Sequence, residues 1–190
     1  QGVDVYRQDF NISPLPYWRG NDSEDRQGIT EIRHVEGYYA YWDELRRRHP
    51  NLLIDTCASG GRRNNLETLR RSVPVLRSDY VLEPIGNQGH TYGLSMWIPF
   101  HGTGQYLTNS YPLRSCMAPI FGIGADLRKE GLDWNLARRT VEEWKRLSRC
   151  MMGDYYPLTP YSLEKNAWIA WHYDLPEAGE GMIQAFRRDD

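Results

Sequence analysis

The chain has 190 residues, 40% hydrophobic and 25% charged, which is ordinary globular composition with the length of one modest domain. Its net charge of −2 produces no field that would draw nucleic acid or an anionic membrane surface, and no apolar run has the length of a membrane-spanning helix. Cys57, Cys116 and Cys150 show no CxxC or Cys/His spacing, and His34, His49, His90, His101 and His172 form no metal motif, so neither a metal nor an organic cofactor is expected.

In chain order, residues 3–11 alternate as a strand and end on polar groups. Pro14 and Pro16 then predict an extended loop, followed by a polar surface loop over 20–28. The spacing of Tyr38, Tyr41, Trp42 and Leu45 predicts a helix from about Gly28 to His49, closed by Pro50. A second strand covers 52–56 and runs into the turn Cys57-Ala58-Ser59-Gly60-Gly61, after which a short helix over 64–72 starts from Asn64 as N-cap with Glu67 behind it. Residues 73–79 are apolar and finish on a carboxylate, which predicts a third strand. The Gly-containing stretch 80–93 reads as a loop, 94–100 as a fourth strand, 111–119 as a helix and 120–124 as a fifth strand. Asp133 caps the clearest helix, over 134–151, with Ala137, Val141, Trp144, Leu147 and Met151 as its apolar stripe. After Tyr155-Tyr156-Pro157 the pattern changes to two strands, 166–173 and 181–187, around a Pro/Gly turn.

Alternating strands and helices over 1–153 predict βα units on a parallel sheet. Their number is roughly half of a (β/α)8 barrel, which takes about 250 residues in full. Residues 154–190 read as a linker and the start of an antiparallel β-sandwich domain. The chain begins in mid-strand without Met, so a fragment is expected, and a cytoplasmic or a secreted origin stays open.

In such a barrel the carboxyl ends of the strands carry the chemistry. Asp9 and Asp79 end two predicted strands, with the Gly-rich turn after Cys57 between them. Two carboxyl groups flanking a glycosidic bond, roughly 5–5.5 Å apart, are what a retaining glycosidase needs. An Asp at a strand end also simply caps the next helix, and an ordinary strand–helix turn accounts equally well for Gly60 and Gly61. The aromatic content of 13%, with 7 Trp and 13 Tyr, suits packing against sugar faces, although most such rings serve the core. His101, after an apolar run, is read either as a pocket residue or as a satisfied structural histidine.

Arg7-Gln8-Asp9-Phe10-Asn11 resembles the K/R-x-D-x-N nucleophile motif of glycoside hydrolase family 36, the melibiase-type α-galactosidases. The segment from Cys57 to Asn65 is similar to that family's Cys-small-small-Gly-Gly-x-Arg-x-Asp stretch, and Arg77-Ser78-Asp79 falls where the family carries its acid/base Asp. The resemblance implies a retaining hydrolase that releases terminal α-linked galactose from an oligosaccharide or glycoconjugate. Asp9 would be the nucleophile and Asp79 the acid/base. Arg7, Asn11, Cys57, Gly60, Arg63 and Asn65 would contact the sugar or shape its wall, with Trp18 and Trp97 as candidate aromatic walls. Asn65 stands where the family usually has Asp, Arg7 where Lys is commoner, and Tyr80 where many members have a second Asp. These departures keep another α-linked sugar, such as N-acetylgalactosamine, as an alternative, and the expected fragment nature of the chain keeps an inactive carbohydrate-binding fragment as another. Self-association into a homo-oligomer is also left open.

Overall fold

The computed structural model describes residues 2–80 and 83–188; residues 81–82 of the expected 80–93 loop lie outside them. The chain is mixed α/β and divides into two compact units, Gln1–Pro74 and Val75–Asp190.

In the first unit, β1 (Val5–Asp9) and β2 (Leu53–Cys57) pair in parallel, with Arg7 opposite Asp55 and Asp9 opposite Cys57. Between them run α1 (Leu15–Gly20) and α2 (Ile29–Arg48), and α3 (Leu66–Leu69) follows the turn. The expected extended loop at Pro14 and Pro16 is instead the start of α1. Proline fits there because the first helical N–H groups have no partner within the helix. α2 matches its predicted span, and the strand period explains how it packs. Even-numbered Tyr6 and Gln8 face the helix, where Gln8 Oε1 accepts from Trp42 Nε1 at 3.0 Å. Tyr38, Trp42 and Ile54 form a small core with Tyr6 and Phe10 packed on it.

Asp22 fixes the entry into α2. Its carboxylate accepts from Gly28 N at 2.7 Å and from Thr30 N at 3.0 Å and Oγ1 at 2.5 Å. It thereby serves N–H groups that the helix leaves orphaned. The bond from Thr30, followed by the two backbone bonds, holds its carboxyl below the ordinary carboxylate value of 3.8. A depressed folded-state value means the stabilisation is complete above that ordinary value and is lost as pH falls through the folded one. Asp22→Asn is therefore expected to lower the unfolding midpoint at neutral pH, with the gap from wild type closing in acid. Urea titrations over a pH series measure this, and a gap that stays constant into acid would refute the capping role.

The second unit holds α4 (Pro84–Leu94), a parallel pair β3 (Gly102–Tyr106) and β4 (Ile120–Gly124) around α5 (Ser110–Ser115), and α6 (Trp134–Leu147). It ends in an antiparallel meander of β5 (Asp154–Pro157), β6 (Ile169–Leu175) and β7 (Glu180–Phe186). Trp171, Ile169, Tyr173, Met182 and Phe186 of the meander share one core with Tyr92, Met117, Cys150 and Met151. α6 joins this core through Trp144 and Leu147, and Trp144 Nε1 donates to Ala118 O at 2.9 Å.

Three sequence expectations change here. Residues 73–79 make no continuous strand: Val73 bridges Asp55 alone, and Arg77 N turns aside to donate to Gly102 O at 2.8 Å. The expected loop at 80–93 contains α4, started by Glu83, whose carboxylate accepts from Ile85 N and Gly86 N at 2.7 Å, and by Pro84 in its first turn. The expected strand at 94–100 is the end of α4 and a turn, and the strand begins at Gly102. Gly102 is required there because a methyl group would strike the Val75 carbonyl oxygen and lie 2.7 Å from Ile120 Cβ. Gly102→Ala is accordingly expected to cost about 1–3 kcal/mol, the usual penalty of overpacking. Chemical denaturation reads this directly, and an unchanged midpoint would show that the 75–77 segment yields freely.

Candidate functional site

The odd-numbered residues of the β1–β2 pair point away from α2 and carry its polar chemistry. Arg7 Nη1 donates to Asp55 Oδ2 at 2.5 Å, and this bond raises the guanidinium above its ordinary value. One step towards the carboxyl end, Asp9 lies beside Cys57 within reach of its thiol. Burial, with Asp9 adding to it, pushes that thiol up. One step further, Asn11 Oδ1 accepts from Ser59 N at 2.9 Å and Oγ at 2.7 Å. Ser59 and Gly60 both take positive φ, 47° and 77°, so the backbone folds back over the strand end instead of continuing it. Cys57 and Gly60 are buried, whereas Arg7, Asp9 and Asn11 are exposed.

The Arg63 guanidinium lies over the Phe10 ring at 4.8 Å and the Tyr38 ring at 4.7 Å, a double cation–π contact that orients it at this end of the strands. Asn65 Oδ1 accepts from Thr68 N at 3.0 Å, which makes Asn65, one residue later than the expected Asn64, the N-cap of α3. Trp18 is half-buried against His34, with ring centroids 5.0 Å apart. Arg7, Asp9, Asn11, Cys57, Gly60, Arg63 and Asn65 thus all belong to the β1–β2 end and the turn and helix start that follow it.

Asp79 and Trp97 belong to the second unit. Asp79 is exposed, in the irregular stretch between Arg77 and α4; Trp97, 45% exposed, sits in the turn after α4. Next to this stretch is a cleft of about 400 Å³ lined by Tyr80, Glu83, His90, Tyr161 and Lys165, among others. His101 takes the structural role of its two readings. It is fully buried between Arg77 and Ser95, and burial, with Arg77 adding to it, lowers it to about 3.

Two partners in the first unit escaped the sequence reading, Asp55 and Ser59. Strand periodicity could have found Asp55, since it lies two residues before Cys57 on the same face. Ser59 needed the tertiary turn. Among the described residues, no group of three or more His, Cys, Asp or Glu side chains is arranged to hold a metal ion, and no helix is long and apolar enough to cross a membrane.

No protein-family model matches the chain. It is 25% identical over 183 residues to the bifunctional α-galactosidase/sucrose kinase AgaSK of Mediterraneibacter gnavus, covering 88% of this chain and 19% of that protein. It is also 25% identical over 178 residues to the α-galactosidase AgaA of Geobacillus stearothermophilus, covering 86% of this chain and 24% of that one. In fold it is similar to a crystal structure of the latter in complex with raffinose, with a TM-score of 0.80 and 21% identity over 97% of this chain. The chain resembles the glycoside hydrolase family 36 α-galactosidases. It spans about a quarter or less of the length of these relatives. Other family 36 structures of AgaA that resemble it hold stachyose or 1-deoxygalactonojirimycin.

Proposed function

We propose that this chain carries part of the catalytic domain of a retaining α-galactosidase, with residues 1–153 from the C-terminal half of a (β/α)8 barrel and 154–190 opening a β-sandwich. The observation that carries the reading is the register of Asp9 beside Cys57 at the carboxyl end of parallel strands. Arg7 and the Asn11–Ser59 contact stand on the same polar face, which in a barrel would line the interior.

In this reading Asp9 attacks the anomeric carbon of an α-galactoside. A carbon–oxygen bond to Asp9 forms as the glycosidic bond breaks, and Asp79 gives its proton to the departing oxygen. Water then attacks the same carbon, Asp79 takes its proton, and Asp9 leaves as carboxylate, with net retention. Arg7, Asn11, Cys57, Gly60 and Arg63 form the sugar-facing wall, and Trp97 supplies an aromatic face. Asn65 contributes mainly through its cap, since its side-chain oxygen already accepts from Thr68 N.

The test is hydrolysis of an aryl α-galactoside by the intact gene product, beside the α-N-acetylgalactosaminide and other aryl α-glycosides. Galactose release with retained configuration, lost in Asp9→Asn on every substrate and in Asp79→Asn on galactosides whose leaving group needs a proton, supports the reading. Preference for another glycoside changes the sugar but keeps the chemistry, and full activity in both variants overturns it.

A further inference from the structure

Arg77 is 1% exposed, and burying a guanidinium is expensive unless its donors are used. Its Nη2 donates to Asn87 O of α4 at 2.9 Å and its Nη1 to His101 Nδ1, just before β3, at 3.2 Å. Its own backbone N–H donates to Gly102 O at 2.8 Å. Arginine has no acceptor, so His101 Nδ1 must accept and Nε2 must carry the proton. That proton goes to Ser95 Oγ at 3.2 Å, which lies 3.0 Å from Tyr173 OH of β6. One side chain thus ties the 77–80 stretch to α4, to the edge of β3 and, through His101 and Ser95, to the meander.

Beyond Asp79 the chain is fixed again. Tyr80 N donates to Ser78 Oγ at 3.1 Å, and Tyr80 OH donates at 2.6 Å to Glu83 Oε1, the cap of α4. Asp79 is exposed, yet it sits between two anchors. An exposed carboxylate that must meet a departing oxygen within hydrogen-bond reach gains nothing from a loose backbone, because small displacements cost large factors in rate.

We propose that Arg77 is the positioning residue for Asp79, its buried guanidinium holding the exposed acid/base stretch against α4 and His101. This rests on the acid/base reading of Asp79 given above.

The experiment compares kcat/KM of the intact gene product on two substrates. One is a galactosyl disaccharide, whose alkoxide leaving group needs a proton. The other is an aryl α-galactoside with a strongly acidic phenol, which leaves without one. Asp79→Ala sets the reference, with disaccharide turnover falling by roughly 10²–10⁴-fold while the activated substrate is nearly spared. Arg77→Met is expected to show the same selectivity, falling about 10²-fold on the disaccharide and less than about fivefold on the activated galactoside. On the activated substrate kcat is expected to fall in both variants, because the second step lacks its base, and azide, which attacks the glycosyl–Asp9 carbon without one, is expected to restore it; no rescue in Arg77→Met would overturn the positioning role. Arg77→Lys is expected to behave like Arg77→Met, since one ammonium cannot span both acceptors. An equal loss on both substrates, or no loss, overturns the proposal. Should Arg77→Met fail to fold, His101→Phe removes one acceptor while filling its space, and the same selective loss is expected; a uniform loss again overturns it. If Asp79→Ala is itself unselective, the acid/base reading is wrong and this inference falls with it. If Asp79→Ala is selective and Arg77→Met is not, only the positioning role is lost.

Discussion

Asp9→Asn is expected to lower kcat on an aryl α-galactoside by roughly 10⁴-fold or more, the scale on which removal of a nucleophile acts. The substitution is nearly isosteric, and Asp9 is exposed at the end of β1, so no core contact is lost. The Cys57 thiol beside it would lose a carboxylate neighbour, which changes its titration without moving the strand. The rate loss would therefore come with an unfolding midpoint close to wild type. A fluorinated activated galactoside should add one glycosyl group to the wild-type protein by mass spectrometry and none to the variant. Label appearing on a different residue, or an Asn variant within about tenfold of wild type, would move the nucleophile elsewhere.

The largest effect on stability is expected from Trp171→Ala. Trp171 is fully buried at the centre of the meander, with its ring 5.5 Å from that of Phe186, and Trp171 Nε1 donates to Gln184 Oε1 at 2.8 Å. Truncation removes a large apolar body, opens a cavity and deprives the Gln184 side-chain oxygen of its donor. Such a loss costs about 3–5 kcal/mol. Trp171→Phe keeps most of the volume but not the donor and should cost clearly less. Urea unfolding of both variants measures the difference. Equal and small losses would show that the meander does not depend on this core.

The resemblance to family 36 was legible from Arg7 to Asn11, from Cys57 to Asn65 and from Arg77 to Asp79, because those side chains are written in short contiguous runs. Their partners were not. Arg7 meets Asp55 and Asn11 meets Ser59 across a separation of 48 residues each, and only strand pairing brings them together. The structural role of His101 was one of two open readings until Arg77 and Ser95 closed around it.

The sequence by itself determined α2, β2, β4, α6 and the two long meander strands, because each announces itself through its own periodicity, caps and breakers. Only the tertiary structure decided α4 and the irregular path of 73–80. α4 is rich in glycine and buries Asn87, Gln88 and Thr91, a pattern that local preference reads as loop. It holds because distant groups satisfy those side chains: Gln88 Oε1 accepts from Arg188 Nε at 2.9 Å and Gln88 Nε2 donates to Ser115 Oγ at 2.9 Å. The 73–79 stretch has the apolar pattern of a strand, but Gly102 and a buried arginine draw its backbone aside. Hydrogen bonds between residues far apart in the chain outweigh local propensity of a few tenths of a kcal/mol per residue, and no window of sequence contains them.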